Sequence, residues 1–367
     1  MLLARATHWD IFCQVIDNYG DIGVCWRLAC DLQARGQAVR LWLDDASHLP
    51  WLAPDAAQRG IPIIDWHQPT EQTQLGSTLM ATFGCALPPA IEALLAACPP
   101  EQRPLGLNIE HLSAEAYVER MHGLPSPRFF ADGSRWDQYF FYPGFSTATG
   151  GLLREADLIQ RQAAFDKNTW LAAQNLAPTP QAQLISLFCY EPAQLQAWLQ
   201  VLREDRQPQH LLICAGRGQA AFSQAVAQLG LQPSAQLNWS LLPLIPQTDF
   251  DHLLWACDVN MVRGEDSWLR AIWAGKPFVW QIYEQDDAAH HEKLSAFMDR
   301  ADLPMALQRL WRGWNGLGGN HMQAQDWQAL QVAPQFVQLR DRLLEQHELS
   351  SQLRYFVRAQ QEKAALA

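Results

Sequence analysis

The chain has 367 residues, of which 49% are hydrophobic and 18% are charged, and its formal net charge is −11. This composition excludes a disordered or fibrous protein, and the length is sufficient for two domains. The negative charge argues against a general nucleic-acid-binding protein, because such a protein gains affinity by neutralising phosphates with basic side chains.

The first predicted elements are a strand near 9–16, an acidic turn and a helix over 24–35. The turn reads DNYGDIG over residues 17–23. Such a turn lies at the carboxyl edge of the first parallel strand, where open α/β sheets bind ligands. A phosphate-binding turn would offer glycines and a basic residue, whereas this one carries Asp17 and Asp21. The two carboxylates predict a site for a proton or a cationic group, although Asp21 alone would also suit a helix cap.

Strands and helices then alternate through the rest of the first half. Further strands are predicted near 38–44, 61–65, 79–85 and 104–109, with helices over 88–98 and 113–122. This alternation is typical of a parallel sheet with crossover helices. The stretch from Pro125 to Leu153 is rich in Pro, Gly, Ser and aromatic residues and breaks the rhythm. We predict an antiparallel excursion and the domain connection there.

The second half repeats the pattern of the first. A helix is predicted around 154–176, and strands follow at 183–189, 210–215, 237–242, 258–262 and 277–282. We therefore expect an α/β protein with two doubly wound, Rossmann-like domains and a binding cleft between them. The predicted boundaries are 1–153 for the first domain, 154–182 for a connection, 183–333 for the second domain and 334–367 for a carboxyl-terminal helical segment.

A second strand-to-helix junction lies at RGEDS over 263–267. Ser267 or Asp266 is predicted to cap the helix that follows, and the first N–H groups of that helix suit a diphosphate. Glu265 beside them could accept hydrogen bonds from ribose hydroxyls. An ordinary capped helix without a ligand remains the alternative.

Aromatic residues leave the first strand of the second half at Phe188 and Tyr190. They could stack on a nucleobase, or they could form the rim of a core. The histidines, including the pair at 290 and 291, show no metal-ligand spacing, so we predict no metal site.

The sequence shows no signal for export or membrane insertion. The first residues contain no apolar core of signal-peptide length, and no apolar run approaches the length of a membrane span. The eight cysteines form no C-x-x-C pair and lie mostly in apolar stretches, which is typical of reduced core thiols. We expect a cytoplasmic protein with neither a membrane nor a nucleic acid as partner.

Several blocks together carry a resemblance to a known family. They are DNYGDIG over 17–23 with WRLA over 26–29, HGLPSP over 122–127, PGF over 143–145 with TGGL over 149–152, and RGEDS over 263–267 with AGKPF over 274–278. In this order they resemble the bacterial protein-arginine rhamnosyltransferases that modify elongation factor P, the EarP family. The resemblance covers roughly the whole chain.

The resemblance implies a GT-B glycosyltransferase with an amino-terminal acceptor side and a carboxyl-terminal nucleotide-sugar side. It implies dTDP-β-L-rhamnose as donor, elongation factor P as acceptor, inversion at the anomeric carbon, and no metal or other cofactor. By motif, Asp21 matches the general base, Asp17 its acidic partner, and Glu265 the essential glutamate on the donor side. The donor-contacting positions that it implies are Phe188, Tyr190, Gln247, Phe250, Asp266, Ser267 and Tyr283.

The chemistry of arginine agrees with the acidic turn. A guanidinium is protonated at any physiological pH and has no lone pair ready for attack. It needs a carboxylate that holds the cation and takes a proton as the C–N bond forms. Two alternatives stay open: a GT-B transferase with another nucleotide sugar or acceptor, and a non-catalytic nucleotide-sugar-binding protein of the same fold.

Overall fold

The structure, a computed structural model, describes residues 7–16, 20–68, 74–284, 289–317 and 322–366. The chain forms two compact units. Unit 1 comprises Met1–Ala156 together with Gln346–Ala367, and unit 2 comprises Asp157–Glu345. Each unit is an α/β layer structure built on its own parallel sheet, as the alternation of elements predicts.

Unit 1 contains a six-stranded parallel sheet in the order β3-β2-β1-β4-β5-β8. The strands of this unit are β1 (Trp9–Cys13), β2 (Val39–Leu43), β3 (Ile63–Asp65), β4 (Thr78–Thr82), β5 (Leu105–Ile109), β6 (Arg128–Phe129), β7 (Arg135–Trp136) and β8 (Gln138–Phe141). Every residue of β1 and β4 is buried, because helices cover both faces of the sheet. The strand order reverses beside β1, and this reversal favours ligand binding at the carboxyl ends of β1 and β4.

The helices of unit 1 up to the chain crossing are α1 (Gly20–Ala34), α2 (Leu49–Leu52), α3 (Ala56–Arg59), α4 (Pro89–Ala97) and α5 (Ala116–Met121), with a 3-10 turn at Pro100–Gln102. Helix α1 begins four residues earlier than the predicted start at 24. Asp21 therefore lies in the first helical turn and not in the loop before it.

The antiparallel excursion predicted over 125–153 is correct only in part. Strands β6 and β7 pair antiparallel, but β8 joins the main sheet parallel to β5. Trp136 is buried and its Nε1 donates a hydrogen bond to the Pro104 carbonyl at 2.7 Å, which anchors the hairpin beside β5. The chain crosses to unit 2 after Ala156, beyond the excursion.

Unit 2 contains a five-stranded parallel sheet in the order β11-β10-β9-β12-β13. The strands are β9 (Gln183–Leu187), β10 (Gln209–Ile213), β11 (Leu237–Leu241), β12 (Val259–Arg263) and β13 (Phe278–Gln281). The helices are α6 (Leu158–Ala163), α7 (Lys167–Ala173), α8 (Leu195–Glu204), α9 (Arg217–Leu229), α10 (Gln247–Ala256), α11 (Asp266–Ala274), α12 (Ala289–Arg300), α13 (Met305–Trp314), α14 (Ala324–Gln331) and α15 (Gln335–Leu344). All five predicted strands are present.

The single helix predicted around 154–176 is two short helices, α6 and α7. Asp166 has extended backbone angles between them and accepts a hydrogen bond from the Thr169 amide at 2.7 Å. This side-chain cap starts a new helix and prevents one continuous helix through the segment.

The carboxyl-terminal segment is helical, but it does not stay with one unit. Helix α15 belongs to unit 2, whereas α16 (Leu349–Leu366) returns to unit 1. The Leu349 amide donates to the Leu152 carbonyl at 2.9 Å, and Glu348 forms an ion pair at 3.0 Å with Arg35, which directly follows α1. These contacts hold the last helix on unit 1.

Candidate functional site

In unit 1 the part of the predicted acidic turn that the structure describes, from Gly20 onward, forms the first turn of helix α1. Asp21 is half-buried in the first turn of this helix, and its Oδ2 accepts a hydrogen bond from the Ile16 amide at 2.9 Å. A carboxylate is favourable at this position because the helix N-terminus carries partial positive charge. Asp17, the other predicted acidic residue, lies in 17–19, outside the described residues.

A second carboxylate holds the same loop from the neighbouring strand. Asp44 directly follows β2, and its Oδ1 accepts a hydrogen bond from the Val15 amide at 2.8 Å. Two successive loop amides are therefore fixed by the two carboxylates of Asp44 and Asp21. The Ile16 side chain is 74% exposed, so an apolar group projects into solvent beside the Asp21 anchor.

Two buried thiols, Cys13 at the end of β1 and Cys25 on α1, lie close to Asp21. Hydrogen bonding to Cys25 and burial raise the pKa of the Cys13 thiol, and the charge of Asp21 raises it further. The Cys25 thiol also donates to Thr82 Oγ1 at 3.4 Å. The Cys13 thiol therefore stays protonated beside Asp21.

In unit 2 the junction between β12 and α11 depends on Gly264. This residue has φ +63°, a left-handed conformation that favours glycine. Its carbonyl accepts a hydrogen bond from Trp280 Nε1 at 2.7 Å, and Trp280 stacks on Trp268 of α11. The turn is therefore fixed from the side of β13.

The predicted cap of α11 is wrong. Glu265, not Asp266 or Ser267, occupies the N-cap position, and it makes no side-chain cap. The Ser267 hydroxyl instead accepts a hydrogen bond from the Arg263 amide at 3.1 Å and donates to the Arg263 carbonyl. It closes the turn around Gly264. Because Glu265 is half-buried and does not cap the helix, its carboxylate suits a role other than capping.

Two further predicted donor-side residues contact each other across α10 and α11. Gln247 Nε2 donates to Asp266 Oδ2 at 3.1 Å, and Arg270 Nε donates to the same oxygen at 2.9 Å. Arg270 Nη1 also donates to Asp251 Oδ1 at 2.8 Å, and both of these side chains are buried. This network fixes the first turn of α11 to helix α10.

The four predicted aromatic residues form two pairs at the carboxyl edge of the unit 2 sheet. Phe188 and Phe250 meet edge to face with ring centroids 5.2 Å apart. Tyr190 and Tyr283 meet in the same way at 5.7 Å, and Tyr283 is 51% exposed. The structure thus brings together residues that lie far apart in the sequence.

Arg263 is a residue of this site that the sequence reasoning did not select. Its Cζ lies 4.5 Å from the ring centroids of both Phe188 and Tyr190, and the residue is only 7% exposed. Its Nη1 donates to the Cys189 carbonyl at 3.4 Å. Stacking between two rings presents a fixed cation at the end of β12, an arrangement that suits a bound anion. The available signal was an arginine placed at the end of an apolar strand.

Within the described residues, no group of three or more His, Cys, Asp or Glu side chains is arranged to hold a metal ion. Among the helices of the described ranges, none is both long and apolar enough to cross a lipid bilayer.

Residues 9–358 match the model of a family described as elongation factor P (EF-P) rhamnosyltransferase EarP. A protein-arginine rhamnosyltransferase of Pseudomonas putida strain KT2440 is 44% identical over 331 residues, covering 84% of this chain and 86% of the relative. A solved structure that describes EarP-mediated arginine glycosylation of translation elongation factor EF-P has a TM-score of 0.64 and 33% identity. This match covers 96% of this chain and 99% of the other.

The fold is also that of nucleotide-sugar glycosyltransferases with little sequence similarity. UGT89C1 of Arabidopsis thaliana, solved in complex with UDP, matches with a TM-score of 0.56 at 13% identity. That match covers 96% of this chain and 99% of UGT89C1. At this identity it supports the predicted GT-B fold alone.

Proposed function

The chain belongs to the EarP family of elongation factor P rhamnosyltransferases, and on this premise we propose that it transfers rhamnose from dTDP-β-L-rhamnose to one arginine of elongation factor P. It is a protein-arginine rhamnosyltransferase, as are its curated relatives. The donor nucleotide, the acceptor protein and the residue roles are the proposed part.

The position of Asp21 carries the acceptor half of this proposal. Its carboxylate is held at the start of α1 by the Ile16 amide, at the carboxyl edge of β1. A guanidinium nitrogen attacks the anomeric carbon, the new C–N bond forms, and the bond from that carbon to the diphosphate oxygen breaks. Asp21 accepts the proton that the guanidinium releases. We assign Asp17 to orienting the guanidinium beside it.

The donor half is assigned to the carboxyl edge of the unit 2 sheet. Arg263, fixed between Phe188 and Tyr190, supplies a cation for the diphosphate. The first amides of α11 add partial positive charge where the leaving group becomes more negative. We assign Glu265 to accepting hydrogen bonds from the ribose hydroxyls. Charge stabilisation of this kind needs no metal ion.

The remaining predicted residues surround this position. Phe188 and Phe250 offer ring faces and edges to the thymine, and Tyr283 extends the aromatic group at Tyr190. Gln247 and Asp266 fix the first turn of α11 through their mutual hydrogen bond. Ser267 closes the Gly264 turn, so we assign it to positioning the helix amides.

The test is incubation of the protein with dTDP-rhamnose and elongation factor P, followed by intact-mass analysis. We expect one rhamnosyl addition, located on an arginine by peptide mapping. Replacement of that arginine by lysine in the acceptor should abolish the addition. A panel of other nucleotide sugars serves as the donor control. Transfer of a different sugar, or donor binding without transfer, would favour one of the two alternatives and refute the proposal.

A further inference from the structure

A second set of side chains lies at the carboxyl edge of the unit 1 sheet and has no part in the chemistry above. Phe83 follows β4, Glu110 and His111 follow β5, and Tyr117 lies in the first part of α5. We call these four residues the edge patch.

The strand register places the edge patch close to the Asp21 anchor. Phe12 of β1 pairs with Ala81 of β4, and Ala81 pairs with Asn108 of β5. Neighbouring strands are about 4.8 Å apart, so the ends of β1 and β5 are separated by about 10 Å. About three residues of extended chain cover that distance.

Phe83 is held in a conformation that bulky residues rarely adopt. Its φ is +56°, and its amide donates to the Ile109 carbonyl at 2.7 Å. The left-handed conformation is unfavourable for a residue that carries a Cβ atom. The ring stacks on His111, with centroids 4.6 Å apart and an interplanar angle of 15°. The turn therefore presents a two-ring platform beside Glu110.

Glu110 places a carboxylate next to this platform. Its amide donates to the Phe141 carbonyl at 3.0 Å, which fixes the backbone between β5 and β8. Burial raises the pKa of the Glu110 carboxyl, and His111 opposes that shift. In the part of the chain that the structure describes, no side chain donates a hydrogen bond to this carboxylate. Tyr117 packs edge to face on Tyr142 at 5.8 Å and borders the same surface.

We propose that the edge patch binds the segment of the acceptor protein that flanks the target arginine. Glu110 accepts hydrogen bonds from a cationic side chain of that segment, and the Phe83 and His111 rings pack on its aliphatic part. The charge of this surface complements a cationic side chain, because Asp21 and Glu110 place two carboxylates about two strand spacings apart. This inference rests on the proposed function, which places the arginine at Asp21.

The first test is Glu110→Gln in the full-length protein, with elongation factor P as acceptor. We expect KM for the acceptor to rise about tenfold or more, since a charge-assisted hydrogen bond is lost. We expect kcat within about twofold of wild type and an unchanged dissociation constant for dTDP by calorimetry. Glu101→Gln is the matched control, because Glu101 lies in the 3-10 turn Pro100–Gln102, near the opposite end of β5.

Thermal unfolding separates this role from a structural one. The folded state raises the pKa of Glu110, so the favourable contribution of the protonated form is present at low pH and is lost as pH rises through the folded-state pKa. Burial disfavours the ionised form of this half-buried carboxylate, and glutamine removes that penalty. Glu110→Gln should therefore unfold at the wild-type temperature or above it, although its acceptor KM has increased.

The second test is Phe83→Gly, which accommodates the left-handed backbone and removes only the ring. We expect a raised acceptor KM with the dTDP dissociation constant unchanged. If wild type transfers rhamnose and both variants keep the wild-type acceptor KM, the edge-patch proposal is wrong and the proposed function stands. If wild type transfers no rhamnose to elongation factor P, the proposed function fails and the edge-patch proposal falls with it.

Discussion

Replacement of Asp21 by asparagine tests the acceptor-side chemistry with the least structural change. The Asp21 Oδ2 accepts the Ile16 amide hydrogen bond at 2.9 Å, and the amide oxygen of asparagine can accept the same bond. The variant therefore keeps the loop anchor and loses the negative charge and the ability to take a proton.

The expected loss of kcat is larger than a weakened hydrogen bond from the Ile16 amide can explain. A positioned general base contributes about 10²–10⁴ in rate, which corresponds to about 3–5.5 kcal/mol of activation free energy. A weakened hydrogen bond to Ile16 accounts for about 0.5–1.5 kcal/mol, or tenfold at most. We therefore expect kcat of Asp21→Asn to fall at least about 100-fold, with dTDP-rhamnose binding unchanged.

The assay is the rate of rhamnosyl addition to elongation factor P by intact mass, with donor affinity measured by calorimetry. Asp44→Asn is the matched control, because Asp44 accepts the Val15 amide of the same loop at 2.8 Å. We expect kcat of this control to fall less than about tenfold, because a neutral acceptor replaces a charged one in a single hydrogen bond. An Asp21→Asn enzyme with more than about a tenth of wild-type kcat, or an equal loss in both variants, would refute the general-base role.

Three further predictions concern unit 2. Glu265→Ala should weaken dTDP-rhamnose binding about 10-fold to 100-fold, because hydrogen bonds to a charged group are lost. Calorimetry measures this affinity, and an unchanged value would exclude the ribose role. Arg263→Lys keeps the charge but loses the planar stacking on Phe188 and Tyr190, so the affinity for dTDP should fall about tenfold. An affinity equal to that of wild type would show that the charge alone suffices. Arg270→Ala should lower the free energy of unfolding by about 1–3 kcal/mol, measured by urea denaturation, because the buried Asp251 then keeps, among the described residues, only Arg161, at 3.3 Å, as a cationic partner; a change below about 1 kcal/mol would contradict this reasoning.

Much of the fold could be predicted because its strands are apolar runs of nearly constant length between helical patterns. The sequence did not predict that β8 belongs to the main sheet. This strand follows a hairpin whose Trp136 is buried beside β5. A tertiary contact of this kind leaves no periodic signal. The start of α1 at Gly20 was missed for a local reason, since glycine and aspartate also favour turns.

The site shows the same division between local signal and tertiary placement. Gln247 and Asp266 could be selected by motif, and their hydrogen bond places them together. Arg263 gave only the ordinary signal of a basic residue at a strand end, and its position between two rings follows from the parallel pairing of β12 with β9. The left-handed backbone of Phe83 could not be predicted, because phenylalanine rarely adopts it and the adjacent Gly84 is the residue that favours that conformation.

Helix α1 carries Asp21, and ion pairs hold this helix next to the two points at which the chain leaves and re-enters unit 1. Arg27 is buried and pairs with Glu155 at 2.6 Å, just before the chain crosses to unit 2. Arg35, which directly follows the end of α1, pairs with Glu348 at 3.0 Å, just after the chain returns. Because Asp21 lies on the first turn of this same helix, the two ion pairs help to position the backbone that carries its carboxylate. The return of the chain to unit 1 therefore contributes to the placement of the residue that we propose as the general base.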